Sequence, residues 1–244
     1  MIDIHCHLLP GVDDGPRTME DALEMARLAV KNGITHAVLT PHITPGRYDN
    51  TLQSLSSVYA EFVRTLKKDH VHLQTALASE VRLDPVIISM VESGTVPFLG
   101  KYDGYQLLLL EFPYTGIPPG GLELVQWLMK RRIKPVIAHP ERNRSVSNNI
   151  KALEAYLKAG CLVQITSGSL GGTFGKLPKQ TAVKLLGLGW VTVMASDAHN
   201  SKTRPPEIET GRIVAEKIVG KKESWALVRE RPMQMTGSHF HAFQ

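Results

Sequence analysis

Apolar positions along the chain follow two alternating patterns: short runs of consecutive Val, Ile and Leu, and longer stretches in which they recur every third or fourth residue. The first suits buried strands, the second helices lying on a sheet. The runs predict strands over 2–7, 34–40, 72–79, 106–111, 134–139, 161–166 and 190–195. The stretches predict helices over 18–32, 49–69, 85–92, 119–132, 148–158, 178–188 and 206–219. Thr18 is placed to cap the first helix, with Asp21 as its capping-box partner and Gly33 beyond its end.

Strands that alternate with helices pair in parallel, because each crossover helix covers a sheet face. Seven such units predict an α/β fold of one domain, a TIM-like (β/α)7 barrel, over 1–231. Residues 232–244 read as a loosely attached tail. The polar residues have a common place in this scheme. His7, His42, Glu80, Glu111, His139, Ser167 and Asp197 each stand at or just past the carboxyl end of a predicted strand, so one rim of the barrel gathers them.

Composition narrows the class. With 43% hydrophobic and 21% charged residues the chain is an ordinary globular protein. Its longest aliphatic run, residues 107–110, is far too short to cross a bilayer. The formal charge of +5 is scattered rather than striped, so no membrane insertion and no nucleic-acid binding are expected. Two cysteines and the lack of a basic-then-apolar leader predict a reducing cytoplasm.

The rim residues carry the chemistry. His5 and His7 lie on one face of a strand, about 7 Å apart at roughly 3.3 Å per residue. Asp14 follows in a Gly-flanked loop, His42 leaves the second strand, Glu80 and Glu111 close two more, and His139, Asp197 and His199 end the last ones. Polar residues merely capping strands are the bland alternative. Five histidines and four carboxylates converging on one rim would, however, repel and desolvate one another without cations between them. Nine ligands exceed the needs of one catalytic ion, which points to two or three divalent metals. Nitrogen and oxygen ligation without thiolate suits Mn, Fe or Zn.

The segments His5-Cys6-His7, Asp13-Asp14-Gly15, Thr40-Pro41-His42, Ser79-Glu80-Val81, Leu110-Glu111-Phe112, His139-Pro140-Glu141-Arg142 and Ser196-Asp197-Ala198-His199 resemble, in order, the motifs of the polymerase and histidinol phosphatase (PHP) superfamily. In particular they resemble the manganese-dependent protein-tyrosine phosphatases of bacterial capsule and exopolysaccharide operons, the CpsB/CapC group. The resemblance implies a distorted PHP-type seven-stranded barrel with three metals: one on His5, His7, Glu80 and Asp197, one on Glu80, Glu111 and His139, and one on Asp14, His42 and His199. It further implies that Arg142 and Arg204 hold phosphate oxygens, and that the substrate is the tyrosine-rich tail of a bacterial tyrosine kinase controlling polysaccharide export. The expected reaction is in-line attack on phosphotyrosine by a metal-bridged hydroxide, the leaving phenolate being stabilised by the third metal or protonated from solvent or His199.

Other features are weighed against plainer roles. A thiol-phosphatase loop needs an arginine shortly after its cysteine, where this chain has Val12 and Ser167; phosphocysteine chemistry is excluded. Residues 168–176 lack the first glycine and the hydroxyl of a phosphate-binding loop and read as a rim loop. Asp13 either orients a histidine or holds its turn, Tyr48, Tyr114 and Phe174 lie near the rim, and His36, His70 and His72 read as surface or packing residues. His239 and His241 repeat the His-x-His spacing without carboxylates nearby. Two rival functions remain: a PHP-type phosphoesterase acting on histidinol phosphate, small phosphate esters or oligonucleotide ends, and a non-catalytic metal-stabilised binding module.

Overall fold

A computed structural model describes residues 1–240. Its strands are β1 (Ile2–Cys6), β2 (His36–Leu39), β3 (His42–Ile43), β4 (Gln74–Leu77), β5 (Glu80–Arg82), β6 (Gly100–Tyr102), β7 (Tyr105–Glu111), β8 (Ile133–Ala138), β9 (Leu162–Thr166) and β10 (Val193–Ala195). One parallel sheet runs β1-β2-β4 and the other β3-β5-β7-β8-β9-β10, with β6 antiparallel to β7. The two sheets form one barrel. β2 leads into β3 across Thr40-Pro41, and β4 into β5 across Ala78-Ser79. The open side is joined by His7 N–H to Ala198 O and Asp197 N–H to His5 O, both 2.8 Å.

The seven predicted strands are therefore seven parallel passes, two of them kinked. Proline at 41 supplies no N–H for a continuous ladder. The kinks turn the chain ends so that His42 and Glu80 sit side by side at the start of β3 and β5, in register with each other. The hairpin β6–β7 is not among the predicted elements. Its turn is Asp103-Gly104, both left-handed at φ 51° and 75°, the pairing favoured by tight hairpins. The helix predicted over 148–158 is broken: Asn149 is extended (φ −145°) and restarts the chain as a 3₁₀ turn before Glu154–Lys158. Thr18 caps Met19–Lys31 with Asp21 as expected.

Side chains alternate between two apolar layers. Ile2, Ile4, Val38, Leu107, Leu109, Val136 and Val193 fill the barrel interior, while Cys6, Leu39, Leu108, Leu110, Ile137 and Ile165 pack outward against the helices. In β1 the register shifts between Asp3 and Cys6. This bulge leaves Ile4 in the interior layer and still turns His5 and His7 into the rim, the use of bulges near active sites.

The expectation of a loose tail over 232–244 is corrected for residues 232–240, and 241–244 lie outside the described residues. Arg231–Thr236 is helical, and Met235 and Phe240 are buried in the interior layer. Gly100 is what admits it: a Cβ there would meet Met235 O at 2.1 Å. The small side chains Ala76 and Ala78 in the same layer leave interior volume that Met235 and Phe240 help to fill. His239 donates to Leu99 O (3.1 Å), and His241 lies outside the described residues.

Candidate metal centre

The nine candidate ligands meet at the carboxyl rim. Glu80, fully buried, stands at the centre, with His139 Nε2 2.8 Å from one carboxylate oxygen and His42 Nδ1, His5 Nε2 and His7 Nε2 at 3.1, 3.2 and 3.4 Å from the other. Asp197 Oδ1 lies 3.4 Å from His5, 3.5 Å from His7 and 3.6 Å from His199. Asp14 Oδ1 lies 3.4 Å from both His42 and His199. Ligand atoms gather in three sets, His5-His7-Glu80-Asp197, His7-Asp14-His42-His199 and His42-Glu80-Glu111, each within 4.8 Å.

The first set is the expected one. The set expected on Asp14, His42 and His199 also takes in His7. Glu111 meets Glu80 as expected but in company with His42, while His139 reaches Glu80 without joining that set. Shared His7, His42 and Glu80 make the three sets one continuous cluster.

The donor atoms themselves fit cations. Among the described residues, Glu80 Oε2, His42 Nδ1, Asp197 Oδ1 and His199 Nε2 are buried and make no well-directed hydrogen bond, for all their close mutual approach, and His5 Nε2 faces His7 Nε2 at 3.3 Å. Buried polar atoms are rarely left so. One divalent ion at each set would complete them with nitrogen and oxygen donors.

Behind the ligands lies a layer that fixes their direction. Asp13 accepts from His7 Nδ1 (2.7 Å), His42 N (3.0 Å) and Gly15 N (2.9 Å), so it both orients a histidine and holds its turn. Gln164 Oε1 accepts from His5 Nδ1 (2.9 Å) and His139 N (3.3 Å). Asp3 takes Ser196 Oγ at 2.5 Å and Ser196 N at 3.0 Å, and Ser196 Oγ in turn accepts from Ala198 N. That clamp holds the turn in which Asp197 is left-handed (φ 51°); His139 is left-handed too (φ 30°). Non-glycine residues in this region are sparse and costly. Sequence reasoning missed Gln164 and Asp3. The signal was a polar residue inside an otherwise apolar strand, in each case.

The rim field is uneven. Burial opposes charge on His42, but the Glu80 carboxylate outweighs it and lifts the imidazole to about 9. Burial, then the Glu80 charge, raises Glu111 to about 7. Burial and Arg142 push His139 down to about 4, and burial and His7 do the same to His199. Asp197 is held well below the carboxylate range despite burial, because Arg142 (2.5 Å) and Arg204 (2.7 Å) converge on its Oδ2 with His5 close by. Both guanidiniums also lie over the Phe174 ring, 4.6 and 5.7 Å from its centroid. They face an open cleft of about 850 Å³ whose floor includes Asp14, Glu111 and Asp197.

Compared with known proteins, residues 1–236 match the family model described as capsular polysaccharide synthesis, CpsB/CapC. The chain belongs to the CpsB/CapC family. It is 36% identical over 228 residues to the tyrosine-protein phosphatase YwqE of Bacillus subtilis, covering 93% of this chain and 88% of the relative. It is 32% identical to the putative tyrosine-protein phosphatase CapC of Staphylococcus aureus, covering 84% and 79%. Among solved structures, a chain from the work on YwqE of Bacillus subtilis and CpsB of Streptococcus pneumoniae, described as unique metal-dependent tyrosine phosphatases, superposes with a TM-score of 0.88 at 34% identity, covering 96% of this chain and 94% of that one. A β-aspartyl dipeptidase from Fervidobacterium islandicum shares the fold alone, with a TM-score of 0.55 at 15% identity over 96% of this chain and 71% of its own. No helix among the described residues is long and apolar enough to cross a membrane.

Proposed function

We propose that this CpsB/CapC-family chain is a metal-dependent protein-tyrosine phosphatase of the cytoplasm, and that its substrate is the tyrosine-rich tail of a bacterial kinase that controls polysaccharide export. The observation that carries this reading is the convergence of Arg142 and Arg204 on Asp197, beside a cluster of orphaned buried donors, at the floor of an open cleft. The family membership and the phosphatase relatives support it.

His5, His7, Glu80 and Asp197 would hold one cation, Asp14, His42 and His199 with His7 a second, and Glu80 and Glu111 with His42 or His139 a third; Mn suits the donors, as do Fe and Zn. When bound, such cations would supply Lewis acidity and lower the pKa of a water toward neutrality, so that its ionised form is available as the nucleophile. The chain's own residues do the rest. Arg142 and Arg204 present fixed N–H groups to the equatorial phosphoryl oxygens, where charge-assisted bonds strengthen as the transition state forms. Phe174 underlies both guanidiniums and limits their rotation. Asp13 keeps His7 as the tautomer whose Nε2 is free to ligate.

His199 is better suited to ligation than to the proton donation also considered for it, since burial keeps it neutral and its Nε2 faces Asp14. A phenolate, whose acid has a pKa near 10, leaves without a strong general acid. An alkoxide does not, which favours phosphotyrosine over phosphoserine. The open cleft also admits a polypeptide, whereas histidinol phosphate or another small ester is expected to call for a closed pocket.

Metal dependence is the test. EDTA should abolish turnover of p-nitrophenyl phosphate, Mn should restore it, and metal analysis should show two or three ions, reduced in His42→Ala and Asp197→Ala. Full activity after chelation, or undiminished metal content in both variants, would overturn the reading.

A further inference from the structure

The 850 Å³ cleft lies near the top of the roughly 300–1,000 Å³ range of ligand pockets and holds more than one aryl phosphate needs. Its lining includes two further arginines that the metal cluster does not use. Arg47 sits in the turn after β3, its guanidinium 5.0 Å from the centroid of Tyr48, whose ring is stacked on His42 (5.5 Å, 7° between planes). Arg144 follows the 3₁₀ turn that carries Arg142; its guanidinium lies 5.3 Å from the centroid of the Tyr114 ring, and its backbone N–H donates to the Tyr114 backbone carbonyl at 3.2 Å.

The two pairs of arginines differ in their partners. Arg142 and Arg204 are part-buried and share Asp197. Arg47 and Arg144 are exposed, and neither has a carboxylate partner among the described residues. Each is instead braced by a tyrosine face, which restrains the long side chain and leaves its charge unspent. They come from different segments, the turn at 44–48 and the helix Arg144–Asn148, yet line the same cleft.

We infer that Arg47 and Arg144 form an anion subsite at the mouth of the cleft, which takes an acidic group on the polypeptide beside the phosphotyrosine and so selects the sequence being dephosphorylated. The inference rests on the phosphotyrosine reading above. The shared chemistry is an anionic side chain; an Asp or Glu carboxylate and a second phosphotyrosine are its two sources, and separate peptides distinguish them. Planar forks braced on aromatic rings suit either group bidentately.

The test is steady-state kinetics of the Mn-loaded enzyme on three phosphotyrosine peptides: one with neutral flanks, one with Glu residues on both sides, and one with a second phosphotyrosine that resists hydrolysis (a phosphonate analogue). One or both anionic peptides should have the higher kcat/KM, the difference lying in KM. Arg47→Ala and Arg144→Ala should each reduce that preference about fivefold, the double variant should abolish it, and added salt should weaken it. p-Nitrophenyl phosphate, which carries no flanking residues, is the control for an intact metal site. The carboxylate source is supported if only the Glu peptide gains, and the phosphoryl source if only the phosphonate peptide gains. Equal kcat/KM on all three, or equal losses on the neutral peptide and on p-nitrophenyl phosphate in the variants, would overturn the subsite while leaving the phosphatase reading standing. Turnover of p-nitrophenyl phosphate with none of any peptide would overturn both.

Discussion

Replacing Asp13 by Asn alters one atom and no shape, yet it should weaken the centre severely. The Asp13 carboxylate is a pure acceptor serving three donors: Oδ2 receives His7 Nδ1 and His42 N, and Oδ1 receives Gly15 N. An asparagine has one acceptor oxygen. With that oxygen in the Oδ2 place, its NH₂ points at the Gly15 N–H; flipped, it points at two donors. The first arrangement is the milder, and it still loses the negative charge that fixes the His7 tautomer and raises its basicity. Hydrogen bonds to charged groups are worth about 1.5–3 kcal/mol each, and removing such a partner of a ligating histidine costs about 10–100-fold in metal affinity or activity. Because His7 belongs to two of the three ligand sets, the loss should fall near the upper figure. The assay is titration of chelated protein with Mn, following free Mn by electron paramagnetic resonance and turnover of p-nitrophenyl phosphate in parallel. Wild-type affinity together with wild-type kcat would refute the role of Asp13.

Arg142→Ala should keep its metals and lose about 10²–10³ in kcat, the usual cost of one transition-state donor; wild-type kinetics, or stripped metals, would contradict the phosphate-binding assignment. Met235→Ala should cost about 2–5 kcal/mol in urea unfolding, because Met235 is fully buried in the interior layer; an unchanged midpoint would mean the C-terminal segment is not part of the fold. For EDTA-treated protein, thermal stability should peak near pH 6.5. His139 and His199, lowered to about 4 from 6.5, make stability rise with pH up to 6.5. His42, raised to about 9 from 6.5, holds stability present below 6.5 that is lost as pH climbs through 9, and Glu111, raised to about 7 from 4.5, adds a decline up to 7. A Tm that still rises between pH 7 and 9 would contradict this charge distribution.

The barrel was legible because its physics is local: seven apolar runs spaced by amphipathic stretches leave few alternatives, and six of the runs end in or just before a polar residue that joins the rim cluster, while Ser167, after the sixth, donates to Ile208 O instead. The kinks at Pro41 and Ala78 were hidden because a strand that bends keeps its apolar pattern on both sides. The hairpin of β6 is only three residues long, and Asp103-Gly104 was its only local mark. The C-terminal segment misled for a different reason. Nothing in its own sequence shows that Gly100, far earlier in the chain, leaves room for the Met235 backbone. At the site, the ligands were legible as types at strand ends, and Asp13 as one of two roles, both of which it fills. Gln164 and Asp3 were not, since a buried amide or carboxylate inside a strand acquires meaning only once the partner strand is beside it. Register decided the grouping of His42 with Glu111, for His42 and Glu80 are paired across β3 and β5.

On the proposed function, this rim hydrolyses phosphotyrosine in polypeptides. The most direct measurement is kcat/KM of the Mn-loaded protein on one peptide carrying phosphotyrosine, the same peptide carrying phosphoserine, and histidinol phosphate. The phosphotyrosine peptide should be turned over best, by well over tenfold, as expected for a site that relies on phenolate departure. Equal or faster turnover of histidinol phosphate or of the phosphoserine peptide would contradict it.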